Sequence, residues 1–151
     1  MKWQKAVWSV FLFCAGVGGV AGIYGVYLQH RVEYELRGVE ITDWGEERGF
    51  LVVRVELEAY NPTTRPLRVE SLNAELFAGG FFLGNQKVEK LLVLPPGRRR
   101  KISLDVNVFL GGLGESKLEA LNRKPIAWEV RLNSSVRTRY VKIPYYFVLR
   151  P

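Results

Sequence analysis

From Leu51 to Ala59 the chain alternates with period two. Leu51, Val53, Val55, Leu57 and Ala59 make one apolar face, and Val52, Arg54, Glu56 and Glu58 lie opposite. That pattern predicts a half-buried antiparallel strand. A shorter segment before it, Glu33 to Ile41, reads as a first strand, and Gly45 to Gly49 reads as a turn. Leu67 and Val69 open a further strand, but Leu72, Ala74 and Leu76 continue it on the opposite parity. A change of parity at Glu70-Ser71 implies a bulge or corner, because one inserted residue swaps the faces. "AGG" ends that strand at Gly80, "FFLGN" gives a short strand and turn, and Val88 to Leu94 reads as one more strand, stopped by "PPG". Alternation returns at Ile102, Leu104, Val106 and Val108, and again at Ile126, Trp128, Val130 and Leu132. An aromatic strand, Tyr140 to Leu149, closes the series.

One later segment has helical character. Glu115 to Leu121 contains good helix formers with Leu118 and Leu121 on one side, glycines ahead of it and Asn-Arg-Lys-Pro behind. Seven or eight short strands separated by turn signals, with one short helix late in the order, predict a mainly β fold. The expected architecture is an antiparallel β-sandwich.

The apolar residues are unevenly spread. No charged residue occurs from Ala6 to Leu28. As a helix this run would be roughly 35 Å long, enough to cross a hydrocarbon core of about 30 Å. It exceeds the h-region of a secretory signal, and "VAG" at Val20 to Gly22 is a poor cleavage site. The expected organisation is therefore a short tail at residues 1–5, a transmembrane signal anchor at 6–28, and a sandwich domain at 29–151. Lys2 and Lys5 precede the run, and Arg31 and Arg37 follow it. The basic residues lie closer on the N-terminal side, which favours a cytoplasmic N-terminus and an extracytoplasmic domain. Gly18 and Gly22 form a small-xxx-small pair that could let two such helices approach as a weak homodimer.

The formal net charge is +7. Residues 38–151 hold 18 Lys or Arg and 13 Asp or Glu. A mildly basic domain suits proximity to anionic lipid or polymer but lacks a nucleic-acid signature. The run Arg98, Arg99, Arg100 and Lys101 is the densest basic stretch and a candidate surface contact. Three adjacent arginines on an extended strand cannot all point one way, and charge at a strand edge also discourages edge-to-edge pairing.

Catalytic chemistry is poorly supplied. His30 is the sole histidine and lies beside the apolar run; Cys14 is the sole cysteine and lies inside it. A Ser-His-Asp or Cys-His arrangement within the domain is excluded, as are metal sites built from His and Cys. Glu46 and Glu47 fall in a turn, and Glu56 and Glu58 fall on the polar face of a strand, where solvation is the expected state. No phosphate-binding or dinucleotide fingerprint appears. No catalytic residue, cofactor or metal is expected.

The strand through Tyr60 stops on Asn61-Pro62. Proline cannot donate to a ladder and pushes the residue before it away from the α region. The Asn61 side chain can bond the backbone two residues on, as an Asx-turn. Asn61 and Pro62 are followed by "LRVESLNAELFAGG", the "FFLGN" unit, Pro96-Gly97 and the "ISLDVNV" strand, in that order. This ordered set resembles the late embryogenesis abundant type 2 family, also called the water-stress and hypersensitive-response (WHy) domain. The likeness spans roughly Tyr34 to Leu149. It implies a fibronectin-type-III-like sandwich with one helix, no catalytic site, and an association with desiccation or osmotic stress. Unlike soluble members of that family, this chain begins with a hydrophobic run. The expected function is a membrane-anchored, non-enzymatic module that binds or stabilises the envelope through contact with lipid, polymer or protein. Two alternatives are a carrier or sensor holding a hydrophobic ligand between its sheets, lined by Trp128, Tyr140, Tyr145, Tyr146 and Phe147, and an accessory subunit of a membrane complex.

Overall fold

The computed structural model describes residues 19–45, 49–139 and 141–151. Residues 19–29 are helical (α1). Eight strands follow: β1 (Glu33–Gly45), β2 (Phe50–Tyr60), β3 (Leu67–Ala78), β4 (Phe81–Val88), β5 (Leu92–Leu94), β6 (Arg99–Phe109), β7 (Trp128–Arg137) and β8 (Lys142–Leu149). A 3-10 turn (Leu110–Gly112) and helix α2 (Glu115–Asn122) lie between β6 and β7. The strands form two antiparallel sheets. One has the order β1-β2-β6; the other has the order β4-β3-β7-β8, with β5 also paired to β3. No barrel closes: the sheets face one another as a sandwich, as the alternation predicts.

The alternating residues of β2 line the core, with Leu51, Val53, Val55, Leu57 and Ala59 all at most 1% exposed. They face Leu72, Ala74 and Leu76 of β3 and Val130 and Leu132 of β7, in one continuous core. The parity change in β3 is a bulge. Val69 pairs Val136 and Ser71 pairs Ser135, so Glu70 is the extra residue. On the other edge of β3, Leu72 pairs Val88 and Val69 pairs Leu92. Three residues, 89–91, must there span the gap opposite two. The strand expected from Val88 to Leu94 is consequently two: β4 ends at Val88 and β5 starts at Leu92. Likewise "FFLGN" is not a short unit but the first part of an eight-residue strand.

β4 closes against β6 across the two sheets. A Cβ on Gly84 would lie 3.0 Å from the Asn107 carbonyl oxygen and 3.3 Å from Val106 Cγ1, so only glycine allows this approach. Gly79 turns β3 into β4 at φ +56, and a Cβ there would meet the Ala120 Cβ at 3.1 Å. α2 therefore sits on that turn through Ala120 and Leu121, and Leu118, on the same side as Leu121 in the sequence reading, is 40% exposed. The opposite edge of the sandwich is filled by rings: Tyr34 of β1 meets Phe147 of β8 edge-on at 5.1 Å.

Most of the expected span at 6–28 lies outside the described residues. Among the described residues no helix is long and apolar enough to cross a membrane.

Candidate functional site

The antiparallel pairing puts four segments at one end of the sandwich: the end of α1, the 61–66 loop, the turn 95–98 and the tip of the β7-β8 hairpin. The α2 end is opposite. Two structural hubs fix the first end and determine which groups remain to meet a partner.

Asn61 is fully buried. Its Nδ2 donates to the Arg65 and Leu94 carbonyls, both at 2.8 Å. Its Oδ1 accepts from the Thr63 amide at 2.9 Å, the expected Asx-turn, and from the Thr63 hydroxyl at 2.7 Å. Its backbone amide donates to the Arg98 carbonyl, and its carbonyl accepts from the Gly97 amide at 2.9 Å. Every hydrogen-bonding position of the side chain is used. Asn61 stitches the 61–66 loop to β5 and to the turn before β6, and nothing is left for a ligand. Pro62 is exposed beside it.

The second hub is Glu58. It is 8% exposed, not solvated as its place on the polar face of β2 suggested. Arg37 Nη2 donates to Glu58 Oε1 at 3.0 Å, and Arg99 Nη1 donates to the same oxygen at 2.7 Å. Arg37 reaches this position because β1 bulges there: Leu36 pairs Leu57 and Gly38 pairs Glu56, leaving Arg37 out of register. The two guanidinium groups hold the Glu58 carboxyl below its ordinary range. Arg99 also lies over the Tyr60 ring, 5.1 Å from its centre.

The basic run is thereby divided. Arg99 turns to Glu58 on the outer face of the three-stranded sheet. Arg100, one residue on, points the other way and donates to the Val93 carbonyl at 3.4 Å, reaching the second sheet. Arg98 stays exposed in the turn, and Lys101 is exposed on the outer face. The fold adds what the sequence did not place beside them: exposed Arg65 in the neighbouring loop, and exposed Arg139 and Lys142 around the hairpin tip. In the β3-β7 ladder Arg68 stands directly opposite Arg137. Glu70 accepts from Arg137 at 2.8 Å and pairs with Lys142 at 2.5 Å, and these cations hold its carboxyl below the ordinary range. No short-range signal brings Arg65 to Arg98; only the hydrogen bonds of Asn61 do so. The α2 end mixes both signs, with Glu115 and Glu119 among Lys117, Arg123 and Lys124.

α1 meets the same end. His30 donates from Nδ1 to the Val26 carbonyl at 2.8 Å, which finishes the helix, and Tyr145 donates its hydroxyl to the His30 carbonyl at 2.9 Å. Tyr27 and Tyr145 rings lie 5.4 Å apart. The rest of α1 is apolar and open: Val20, Ile23 and Tyr24 are 70%, 74% and 61% exposed. Gly18 lies outside the described residues. Gly22 lines an apolar cleft of about 480 Å³ between α1 and β8, with Ile23, Val26, Val141 and Ile143, and a Cβ there would touch nothing within 4 Å.

Of the C-terminal aromatics, Trp128 and Tyr145 are buried, Phe147 lies beside Tyr34, and Tyr146 is 57% exposed. Tyr140 lies outside the described residues. Tyr34 Oη shares a hydrogen bond with Ser134 Oγ at 2.9 Å across the sheets, and burial pushes the Tyr34 hydroxyl up to about 12. Among the described residues no group of three or more His, Cys, Asp or Glu could hold a metal ion. Glu46 and Glu47 lie outside them.

No family model matches the chain, and no curated protein matches it. Solved structures do. The Arabidopsis thaliana protein AT1g01470 superposes with a TM-score of 0.57 at 16% identity, over 79% of this chain and 80% of that one. A protein from Archaeoglobus fulgidus gives 0.52 at 11% identity, over 80% of this chain and 92% of that one. A late embryogenesis abundant protein, At2g46140.1, overlaps more loosely, at 0.49 and 12% identity over 95% and 88%. At these identities the likeness is one of fold.

Proposed function

We propose that this chain is a membrane-anchored, non-enzymatic domain of the late embryogenesis abundant type 2 kind. It is held by its N-terminal helix with the N-terminus cytoplasmic and the sandwich outside, and it acts by contact under desiccation or osmotic stress. The observation that carries the anchored part is α1. Its side chains are apolar all round and stay exposed where the helix meets the sandwich, and they continue an uncharged run that starts at Ala6. A helix apolar on every face needs an apolar surrounding, and beyond its contact with β8 the domain offers none. The ordered Asn61-Pro62 and Pro96-Gly97 pattern, with the superposition on AT1g01470, supports the family reading.

The test uses vesicles carrying the full-length protein. Alkaline carbonate should leave it in the membrane. On drying and rehydration these vesicles should leak less trapped dye than vesicles carrying residues 1–32 alone. Equal leakage would refute a stabilising contact, and release by carbonate would refute the anchor.

A further inference from the structure

The described part of α1 runs beside β8 in the direction away from the domain. Tyr27 stands against Tyr145, and Gly19 and Gly22 share a cleft with Val141 and Ile143. From Tyr27 back to Gly19 the helix rises about 12 Å. From Tyr145 back to Val141 the strand rises about 13 Å. The hairpin tip is therefore level with Gly19 to Gly22, well above Leu28. A bilayer boundary at Leu28 would place the tip about 12 Å inside the hydrocarbon, with Arg139 and Lys142 beside it, a costly position for charge. A boundary near Gly22 leaves the tip no more than about 5 Å below it, a depth from which the long Arg139 and Lys142 side chains can reach the headgroups. The uncharged run from Ala6 to Gly22 still spans about 26 Å as a helix, within the range of membrane spans. Ile23 to Leu28 then cross the interfacial layer, where the two tyrosines Tyr24 and Tyr27 are well suited.

At that height the end of the sandwich meets the surface. Val141, 55% exposed, is the apolar point of the tip. At the same end of the sandwich the fold places Arg65, Arg98, Arg139 and Lys142, all exposed. Arg68 directly opposite Arg137 is a like-charge pair, which destabilises a ladder and is only partly offset by Glu70. A polyanionic partner would offset it further.

Resting on the anchored reading above, we infer that this end is a docking surface for anionic phospholipid headgroups, with the β7-β8 tip seated at the inner edge of the headgroup layer. The charges fit that occupant, and the helix delivers the surface to it. The attraction is electrostatic and falls off within a Debye length, about 10 Å at 0.1 M salt and about 3 Å at 1 M.

The experiment uses the full-length chain in vesicles of phosphatidylcholine, with or without phosphatidylglycerol. In a Cys14→Ser background a fluorophore is placed by Val141→Cys or, at the far end, by Ser116→Cys. Quenching by headgroup-labelled lipid is then read. The expected result is quenching several-fold stronger at 141 than at 116 with phosphatidylglycerol present. It should weaken in 1 M salt, and also in the Arg65→Ser, Arg98→Ser double variant. Equal quenching at the two sites would overturn the inference. So would a 141 signal indifferent to lipid charge and salt, or one that rises only when a soluble protein or polymer is added. Carbonate extraction on the same vesicles separates the two failures: a retained protein with an unquenched tip sinks this surface alone, whereas a released one sinks the anchor.

Discussion

Replacing Asn61 with alanine removes four side-chain hydrogen bonds at once, and their surroundings set the cost. Thr63 is half-buried and Arg65 exposed, so the groups bonded there regain water, and each loss costs about 0.5–1 kcal/mol. The Leu94 carbonyl sits in the core, beside a residue of 0% exposure, and is left without a donor. That desolvation adds about 1–3 kcal/mol. The sum is about 2.5–6 kcal/mol, a large part of the stability of an ordinary domain. Asn61→Asp separates the two halves of the network. It keeps the acceptor for Thr63 but turns an oxygen toward the Leu94 and Arg65 carbonyls. At neutral pH it should be at least as damaging as alanine. The new carboxyl would have its folded pKa raised above the unfolded value, so the part of the destabilisation due to its charge should shrink as pH falls through that raised value, where the group gains a proton to donate, and be gone below about 4. Urea unfolding of the full-length protein in detergent, followed by far-UV circular dichroism at neutral and acid pH, reads both numbers. A loss below about 0.5 kcal/mol for Asn61→Ala, or an Asn61→Asp variant as stable as the parent at neutral pH, would refute the hub.

Gly84→Val should destabilise the sandwich by about 1–3 kcal/mol in the same assay, because its Cβ would press on the β6 backbone. Acid should weaken the fold. Glu58, Glu70 and Glu129 have carboxyls held down by their Arg and Lys partners, so their contribution is present above the ordinary carboxylate range and lost as pH drops through the lowered values. Glu58→Gln should blunt that acid limb. Alkali acts through Tyr34: its raised pKa means the contribution is complete below about 10 and disappears as pH climbs toward 12. Tyr34→Phe should flatten the unfolding curve in that window.

The strands with one wet face were legible residue by residue, since β6, and β2 apart from Glu58, carry their burial in alternation, and even the bulge at Glu70 showed as a parity change. The division of β4 from β5 was not legible. It is set by the pairing with β3, where residues 89–91 stand opposite only two residues, and the local sequence does not name that partner. Leu118 and Leu121 share a side in the sequence, but only Leu121 is buried, because α2 is positioned on the β3-β4 turn through Gly79 and Ala120. For the site, the basic run was visible but its assembly was not. Arg65, Arg98 and Arg139 are far apart in sequence and share one end of the sandwich only because Asn61 ties one loop to another turn and the antiparallel pairing brings the β7-β8 tip to the same end as the start of β3. Glu58 looked like a solvated carboxylate because the bulge that brings Arg37 to it has no local signature.

The anchored, outward-facing sandwich is the central claim, and protease treatment of sealed cells or right-side-out vesicles, followed by intact mass of the membrane-extracted protein, tests it most directly. The account predicts full-length mass before treatment, and afterwards a membrane-held N-terminal fragment with the sandwich digested. A mass lacking the first twenty or so residues, or a full-length protein whose sandwich survives until the vesicles are opened, would contradict it.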